Sequence, residues 1–153
     1  MKLSLRGEYA LRALLVLAEN EGQGLVRVQA ISAEQNIPKR YLEQILNDLR
    51  AGGFVKSRRG VAGGYRLGRR ADQITLAAVV RHVEGSLAPV SCLSENFYQK
   101  CSCPDEMRCA VRSVMKEIRL AIVQIAENIT LAEMVQRSRE LRNQPMNAYD
   151  FSI

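Results

Sequence analysis

The chain has 153 residues, 47% hydrophobic and 25% charged, a balance that excludes a disordered chain and suits one compact domain, or a small domain with an oligomerisation element. Aromatic residues are only 5%, so the core has to be aliphatic, and the net charge of +6 favours anionic partners such as nucleic acid. No apolar run approaches the roughly 20 residues of a membrane span, so no membrane partner is expected.

The opening stretch MKLSLRGEYALRALLVLAEN has a basic head and an apolar middle. Glu8, Arg12 and Glu19 interrupt the apolar run and no small-residue cleavage site follows, so it is not read as a signal peptide. The expected location is the cytoplasm, where thiols stay reduced. Leu11, Leu14, Leu15 and Ala18 recur at helical spacing and predict a first helix over 6–20, ended by Gly22 and Gly24. VRVQAISAEQN (26–36) reads as a second, short helix with Asn36 at its turn. Pro38 suits the first turn of a third helix, PKRYLEQILNDLRAGG, because its missing N–H is not needed there. Leu42, Ile45, Leu46 and Leu49 form one apolar stripe of that helix, and Gly52 and Gly53 stop it.

A polar face on an isolated helix is usually solvated surface. Here the order of helix, short helix, tight turn and polar-faced helix is that of a helix-turn-helix. In FVKSRRGVAGGYRLG, 54–58 is expected to pair with 65–68 across a glycine-rich turn whose tip carries Arg58, Arg59, Gly60, Gly63 and Gly64. Arginines on a thin projection suit contact with phosphates or a minor groove. The fold class is therefore mainly α: a winged helix-turn-helix with a two-stranded wing. ITLAAVVRHVEG (74–85) predicts a fourth helix.

After the cysteine segment, Val111, Val114, Met115, Ile118, Ile122, Ile125 and Ile129 step by three or four residues and predict one long helix with one apolar stripe. Such a stripe needs a partner surface. A second copy of the helix is the reading preferred over packing within one subunit, because helix-turn-helix dimers need a device that spaces their reading helices. TLAEMVQRSREL (130–141) predicts a last helix with a capping box of Thr130 and Glu133, and the tail is expected to be irregular.

The stretches MKLSLRGEYALRALLVLA, YLEQILNDLRAGGFVKSRRGVAGGYRLGR and ITLAAVVRHVEG, with the cysteines and the long helix after them, resemble the IscR/NsrR/CymR-type winged-helix transcription regulators, the Rrf-two superfamily. The resemblance covers about residues 1–135. It implies a homodimer on a pseudo-palindromic DNA operator, with the third helix in the major groove and the wing at the minor groove. Carried over by position, it puts Arg40, Tyr41, Glu43 and Gln44 on the reading face, Arg58 and Arg59 on the wing, and Lys2, Arg6 and Lys39 at phosphates. The units expected are a DNA-binding domain over 1–85, a cysteine-rich loop over 86–109, the dimerisation and last helices over 110–141, and a tail over 142–153.

All four cysteines lie between Cys92 and Cys109 in the pattern C-x8-C-x-C-x5-C. Iron–sulfur members of the family resemble C-x5-C-x5-C, so the gap from Cys103 to Cys109 agrees, the first gap is longer, and Cys101 is extra. The resemblance implies an iron–sulfur cluster, 2Fe–2S or 4Fe–4S, on Cys92, Cys103 and Cys109. Its fourth ligand stays open between Cys101 and Glu8, which sits where some members use an acidic residue of the first helix. Where some members carry a histidine this chain has Arg112, and its only histidine, His82, reads as structural or surface. Thiolates also suit zinc, although paired C-x2-C knuckles are absent. A metal-free thiol switch, in which Cys101 or Cys103 pairs with Cys109 or Cys92, and control by a protein partner remain alternatives; C-x-C spacing strains a disulfide and is weak evidence for one. No histidine accompanies the cysteines and no glycine-rich nucleotide loop precedes a helix, so no enzyme is expected. The function expected is a DNA-binding regulator, a repressor, whose cluster senses iron, redox state or nitric oxide.

Overall fold

The computed structural model describes residues 3–144. Lys2 and most of the expected irregular tail lie outside the described residues.

Helix α1 spans Leu5–Glu19. Ser4 caps it, its hydroxyl accepting from the Gly7 N–H at 3.1 Å and satisfying one of the unpaired donors of the first turn. Ala10, Ala13, Leu14, Val16, Leu17 and Ala18 are buried, while the expected Leu11 and Leu15 pack at the edge of that core. Helix α2 (Val28–Gln35) ends at Asn36, which takes the left-handed conformation with φ 51°, so the turn comes where expected. Helix α3 spans Lys39–Ala51, with Pro38 as the residue before it rather than within its first turn. The proline ring holds φ at −54° and the extended ψ of 122° keeps Pro38 outside the helix. Leu42, Ile45, Leu46 and Leu49 are each at most 1% exposed, so the apolar stripe of α3 is consumed inside the subunit.

The hairpin pairs β1 (Val55–Arg58) with β2 (Gly64–Leu67) antiparallel, with Val55 opposite Leu67 and Lys56 opposite Arg66. Both strands begin one residue from the expected limits, and the Gly68 N–H still reaches the Phe54 carbonyl at 2.8 Å. Val26 bridges to Tyr65 through two 2.8 Å bonds, which fixes the hairpin to the segment before α2. Gly63 is required at the tip: a Cβ there would collide with the Arg58 carbonyl.

Helix α4 (Leu76–Glu84) is capped by Thr75 and ends at Gly85, whose φ is +81°. Helix α5 runs over Ala110–Asn128 and α6 over Leu131–Asn143. Thr130 caps α6 by accepting from the Glu133 N–H at 3.2 Å. The reciprocal half of the expected capping box is not made, because the Glu133 carboxylate accepts from Arg137 instead. Leu76 N–H bonds the Ile129 carbonyl at 2.8 Å and Leu131 N–H the Ile74 carbonyl at 2.9 Å, so the α5–α6 junction is tied to the start of α4. Leu131 and Val135 then enter the same core as α1 and α3.

Helix α5 does not carry one stripe but two adjacent ones. Ile122, Val123 and Ala126 pack inward with Ala77, Val80 and Leu87. Val111, Val114, Ile118, Ala121 and Ile125 face outward, at steps of three and four residues, and the four larger ones are 41–64% exposed. At 100° per residue the two sets occupy neighbouring arcs of the cylinder, which is why they merge in a count of spacings.

Candidate nucleic-acid interface and cysteine segment

The exposed side of α3 and the hairpin stand on the same side of the molecule. Between them lies a groove of about 670 Å³, lined among others by Arg27, Asn47, Arg50, Ser57, Arg58 and Arg59. A second groove of about 710 Å³ on the hairpin carries Arg50, Lys56, Arg58 and Arg66. Among the described residues, no carboxylate lines either groove. Unopposed guanidinium groups along an open channel are an electrostatic footprint for a polyanion.

Hydrogen bonds hold part of this array. Arg27 donates to the Val61 carbonyl at 3.1 Å, tying the start of α2 to the hairpin tip, and Arg50 donates to Ser57 at 3.3 Å. On α3, Lys39, Arg40 and Gln44 are exposed, and Glu43 is half-buried with Lys39 3.8 Å away. Tyr41 is half-buried, its ring edge-on to Tyr9 at 5.9 Å, so its ring is fixed from α1. Arg58 and Arg59 are exposed. Arg6 is already engaged, with its guanidinium 3.1 Å from Asp48 of α3. His82 meets the same Asp48, through the backbone carbonyl at 3.1 Å and the carboxylate at 3.4 Å. Its ring fills the space a Gly52 Cβ would need and stacks obliquely on Phe54 at 5.2 Å, so its place is in the packing of α3 against α4.

Arg27, Arg50, Lys56 and Arg66 are the groove residues missing from the expected set. Strand alternation places Lys56 and Arg58 on one face, with Arg66 opposite Lys56, and that signal was available. Arg27 and Arg50 reach the groove only through the tertiary fold.

Beyond α4 the chain makes a short 3-10 turn over Ser91–Leu93 that buries Cys92. Cys101 and Cys103 are joined as a disulfide, against the expectation from their spacing. Both are half-exposed, and their Cα atoms are 5.4 Å apart. Cys109 caps α5, its sulfur accepting from the Arg112 N–H at 3.4 Å. Arg112 also stands 3.2 Å from Glu106 but is not aligned to hydrogen-bond it. Tyr98 donates to Glu106 at 2.7 Å, and that bond, with some loss of hydration, raises the tyrosine pKa above its usual value. Arg119 pairs with Glu95, so α5 holds the segment at both ends.

Four cysteine sulfurs are the right donors for an iron–sulfur cluster or zinc. They can serve together only when the Cys101–Cys103 bond is reduced. Two are spent in a disulfide, which offers no thiolate, and among the described residues no three His, Cys, Asp or Glu side chains form a metal-holding group. Glu8 lies in the first turn of α1 and pairs with Arg12 at 3.2 Å. Among the described residues no helix is long and apolar enough to cross a membrane.

Comparison with known proteins agrees with this geometry. Residues 3–137 match the Rrf2 family, described as iron-dependent transcriptional regulator. The HTH-type transcriptional regulator CymR of Bacillus subtilis is 37% identical over 134 residues, 88% of this chain and 89% of its own. The HTH-type transcriptional regulator IscR of Sodalis glossinidius is 36% identical over 141 residues, 92% of this chain and 82% of its own. The solved structure of CymR, the global cysteine regulator of B. subtilis, matches with a TM-score of 0.76 at 31% identity, over 90% of this chain and 98% of that one. The match spans the helix-turn-helix, the wing with its cation-lined grooves and the long helix, and the chain therefore belongs to the Rrf2 family of winged-helix DNA-binding transcription regulators, not to the enzymes.

Proposed function

We propose that the chain is a cytoplasmic homodimeric repressor that reads a pseudo-palindromic operator and whose cysteine segment sets operator affinity. The observation that carries the DNA side is the pair of grooves lined by arginine and lysine with no carboxylate. In this reading α3 enters the major groove and presents Arg40, Tyr41, Glu43 and Gln44. An arginine there bonds guanine and a glutamate accepts from a cytosine amino group. Arg58 and Arg59 reach the minor groove from the wing, and Lys2, Lys39 and Arg6 meet phosphates, Arg6 after leaving Asp48. The outward stripe of α5 pairs with its copy and fixes the separation of the two reading helices. Residues 1–85 then read, 86–109 sense, 110–141 dimerise and close the core, and 142–153 form the tail.

For the sensing element we propose an iron–sulfur cluster, responding to iron, redox state or nitric oxide. Its support is the donor set, four cysteines between Cys92 and Cys109, and the likeness to IscR. Cys92, Cys103 and Cys109 would hold it, with Cys101 or Glu8 completing the set, once Cys101 and Cys103 are thiols. Such a cluster supplies a redox-labile cross-link within the segment. A thiol switch is the second reading, favoured by the Cys101–Cys103 bond and by the likeness to CymR.

Anaerobic purification tests the sensing element. The expected result is a coloured protein containing iron and sulfide, with operator affinity changed in Cys103→Ser/Cys109→Ser. A colourless protein without iron, whose affinity follows dithiothreitol and stops doing so in Cys101→Ser, assigns the thiol switch instead. Affinity unchanged in every cysteine variant removes the sensing element and leaves operator binding intact.

A further inference from the structure

We propose that Glu84 is a positioning residue that couples the cysteine segment to the reading helix α3 through the first turn of α1. Its consequence for operator affinity rests on the regulatory reading above, whereas the linkage itself is carried by the fold.

Glu84 is the last residue of α4. Its Oε1 accepts from the Ser4 N–H at 3.0 Å and from the Ser4 hydroxyl at 2.6 Å. Ser4 in turn caps α1 by accepting from the Gly7 N–H. The carboxylate therefore sits at the positive end of α1, where a negative charge is favoured. Gly7 is buried, and a Cβ there would collide with the same Oε1. A side chain is missing where the carboxylate of Glu84 needs the room.

On the other side of Glu84, the Phe97 ring of the cysteine segment lies on Gly85. A Cβ at Gly85 would stand 2.5 Å from Phe97 Cε2. The position of Phe97 is set by the fold of the segment. Its N–H donates to the buried Ser94 hydroxyl at 3.0 Å, Ser94 follows the turn that buries Cys92, and the Gln99 N–H closes on the Ser91 carbonyl at 3.3 Å. Phe97 lies between Cys92 and Cys103, so a change of shape in that stretch reaches this ring, although it is 62% exposed.

From α1 the chain of contacts continues into α3. Arg6, next to Gly7, pairs with Asp48 on α3, and His82 of α4 closes on the same residue. An isolated, partly exposed ion pair of this kind contributes little to stability. Its place matters more: in the free chain, before Arg6 turns to a phosphate, it joins the turn that Glu84 holds to the C-terminal half of the reading helix. Phe97, Gly85, Glu84, Ser4, Gly7, Arg6 and Asp48 thus form a continuous path of contacts from the cysteine segment to α3.

Contiguity alone is not coupling, so the test is a double-mutant cycle. Amide hydrogen exchange is measured on the full chain for wild type, Phe97→Ala, Glu84→Ala, the double variant and Glu84→Gln. Phe97→Ala is expected to speed exchange in the first turn of α1 and around Asp48–Gly52 by about two- to thirtyfold. The effect is expected to vanish in the Glu84→Ala background. Glu84→Gln keeps an oxygen acceptor for both Ser4 donors and is expected to preserve it. If Glu84→Ala does not fold, Ser4→Ala cuts the same link. The proposal is overturned if Phe97→Ala speeds exchange only near residues 84–99, or equally with and without Glu84. Operator affinity unchanged in Cys103→Ser/Cys109→Ser, with the cycle intact, would remove the sensing reading while keeping the role of Glu84.

Discussion

Helices α3 and α5 carry the same kind of amphipathic pattern and use it in opposite ways. In α3, Leu42, Ile45, Leu46 and Leu49 are spent entirely on the subunit's own core, so the helix is anchored and its polar face is free to meet a ligand. In α5 only the Ile122–Val123–Ala126 side is spent internally, and Val111, Val114, Ile118 and Ile125 are left for something else to cover. An apolar stripe tells where a helix wants to be buried; only the fold tells how much of that burial the same chain supplies. In the function proposed above, the anchored helix is the reader and the half-covered one is the place for a second copy.

This contrast can be broken at either helix. Leu46→Ala should cost about 2–5 kcal/mol of subunit stability, because a fully buried leucine leaves a cavity behind. Urea unfolding monitored by circular dichroism measures it. Ile118→Asp should leave that unfolding curve nearly unchanged but weaken association of two copies by about 2–4 kcal/mol, as expected for a central anchor of an isologous interface. Sedimentation equilibrium separates these outcomes, and a variant that still associates normally would place the interface elsewhere.

Smaller effects sharpen the same picture at the element ends. Thr130→Ala removes the cap of α6 and should cost about 1 kcal/mol. Since α6 closes the core around α1, the loss should appear in subunit unfolding and not in association. The smallest effect expected is at the turn after the wing, where the Arg70 guanidinium lies 2.7 Å from Asp72 and holds its carboxyl below the usual range. A depressed carboxyl stabilises the fold at pH above its unfolded value and loses that contribution as pH falls through the folded value. NMR titration of Asp72 should show the low midpoint, moving back toward the ordinary value in Arg70→Ala.

Much of this was legible in the sequence, because the signals are local. The stripe of α3, the αL turn at Asn36 and the glycine-bounded hairpin each follow from a few adjacent residues. Arg58 and Arg59 were legible as wing cations for the same reason. Pro38 was placed one position too far into α3, since a proline fits both the residue before a helix and its first turn. The two faces of α5 were merged, because neighbouring arcs share a spacing. Arg27 and Arg50 were missed because they lie far apart in sequence, and the Cys101–Cys103 bond because spacing alone argued against it. The engagement of Arg6 by Asp48 and the seat of Glu84 against Gly7 are tertiary facts with no periodicity to announce them.

The most direct test of the account is the salt dependence of binding to a duplex carrying the promoter of the chain's own gene, for wild type and Arg59→Ala. The predicted result is affinity that falls steeply with salt in the wild type, with Arg59→Ala binding about 1–3 kcal/mol more weakly and the log–log slope about one unit shallower. Wild-type binding that ignores salt, or an Arg59→Ala variant with unchanged affinity and slope, would contradict it.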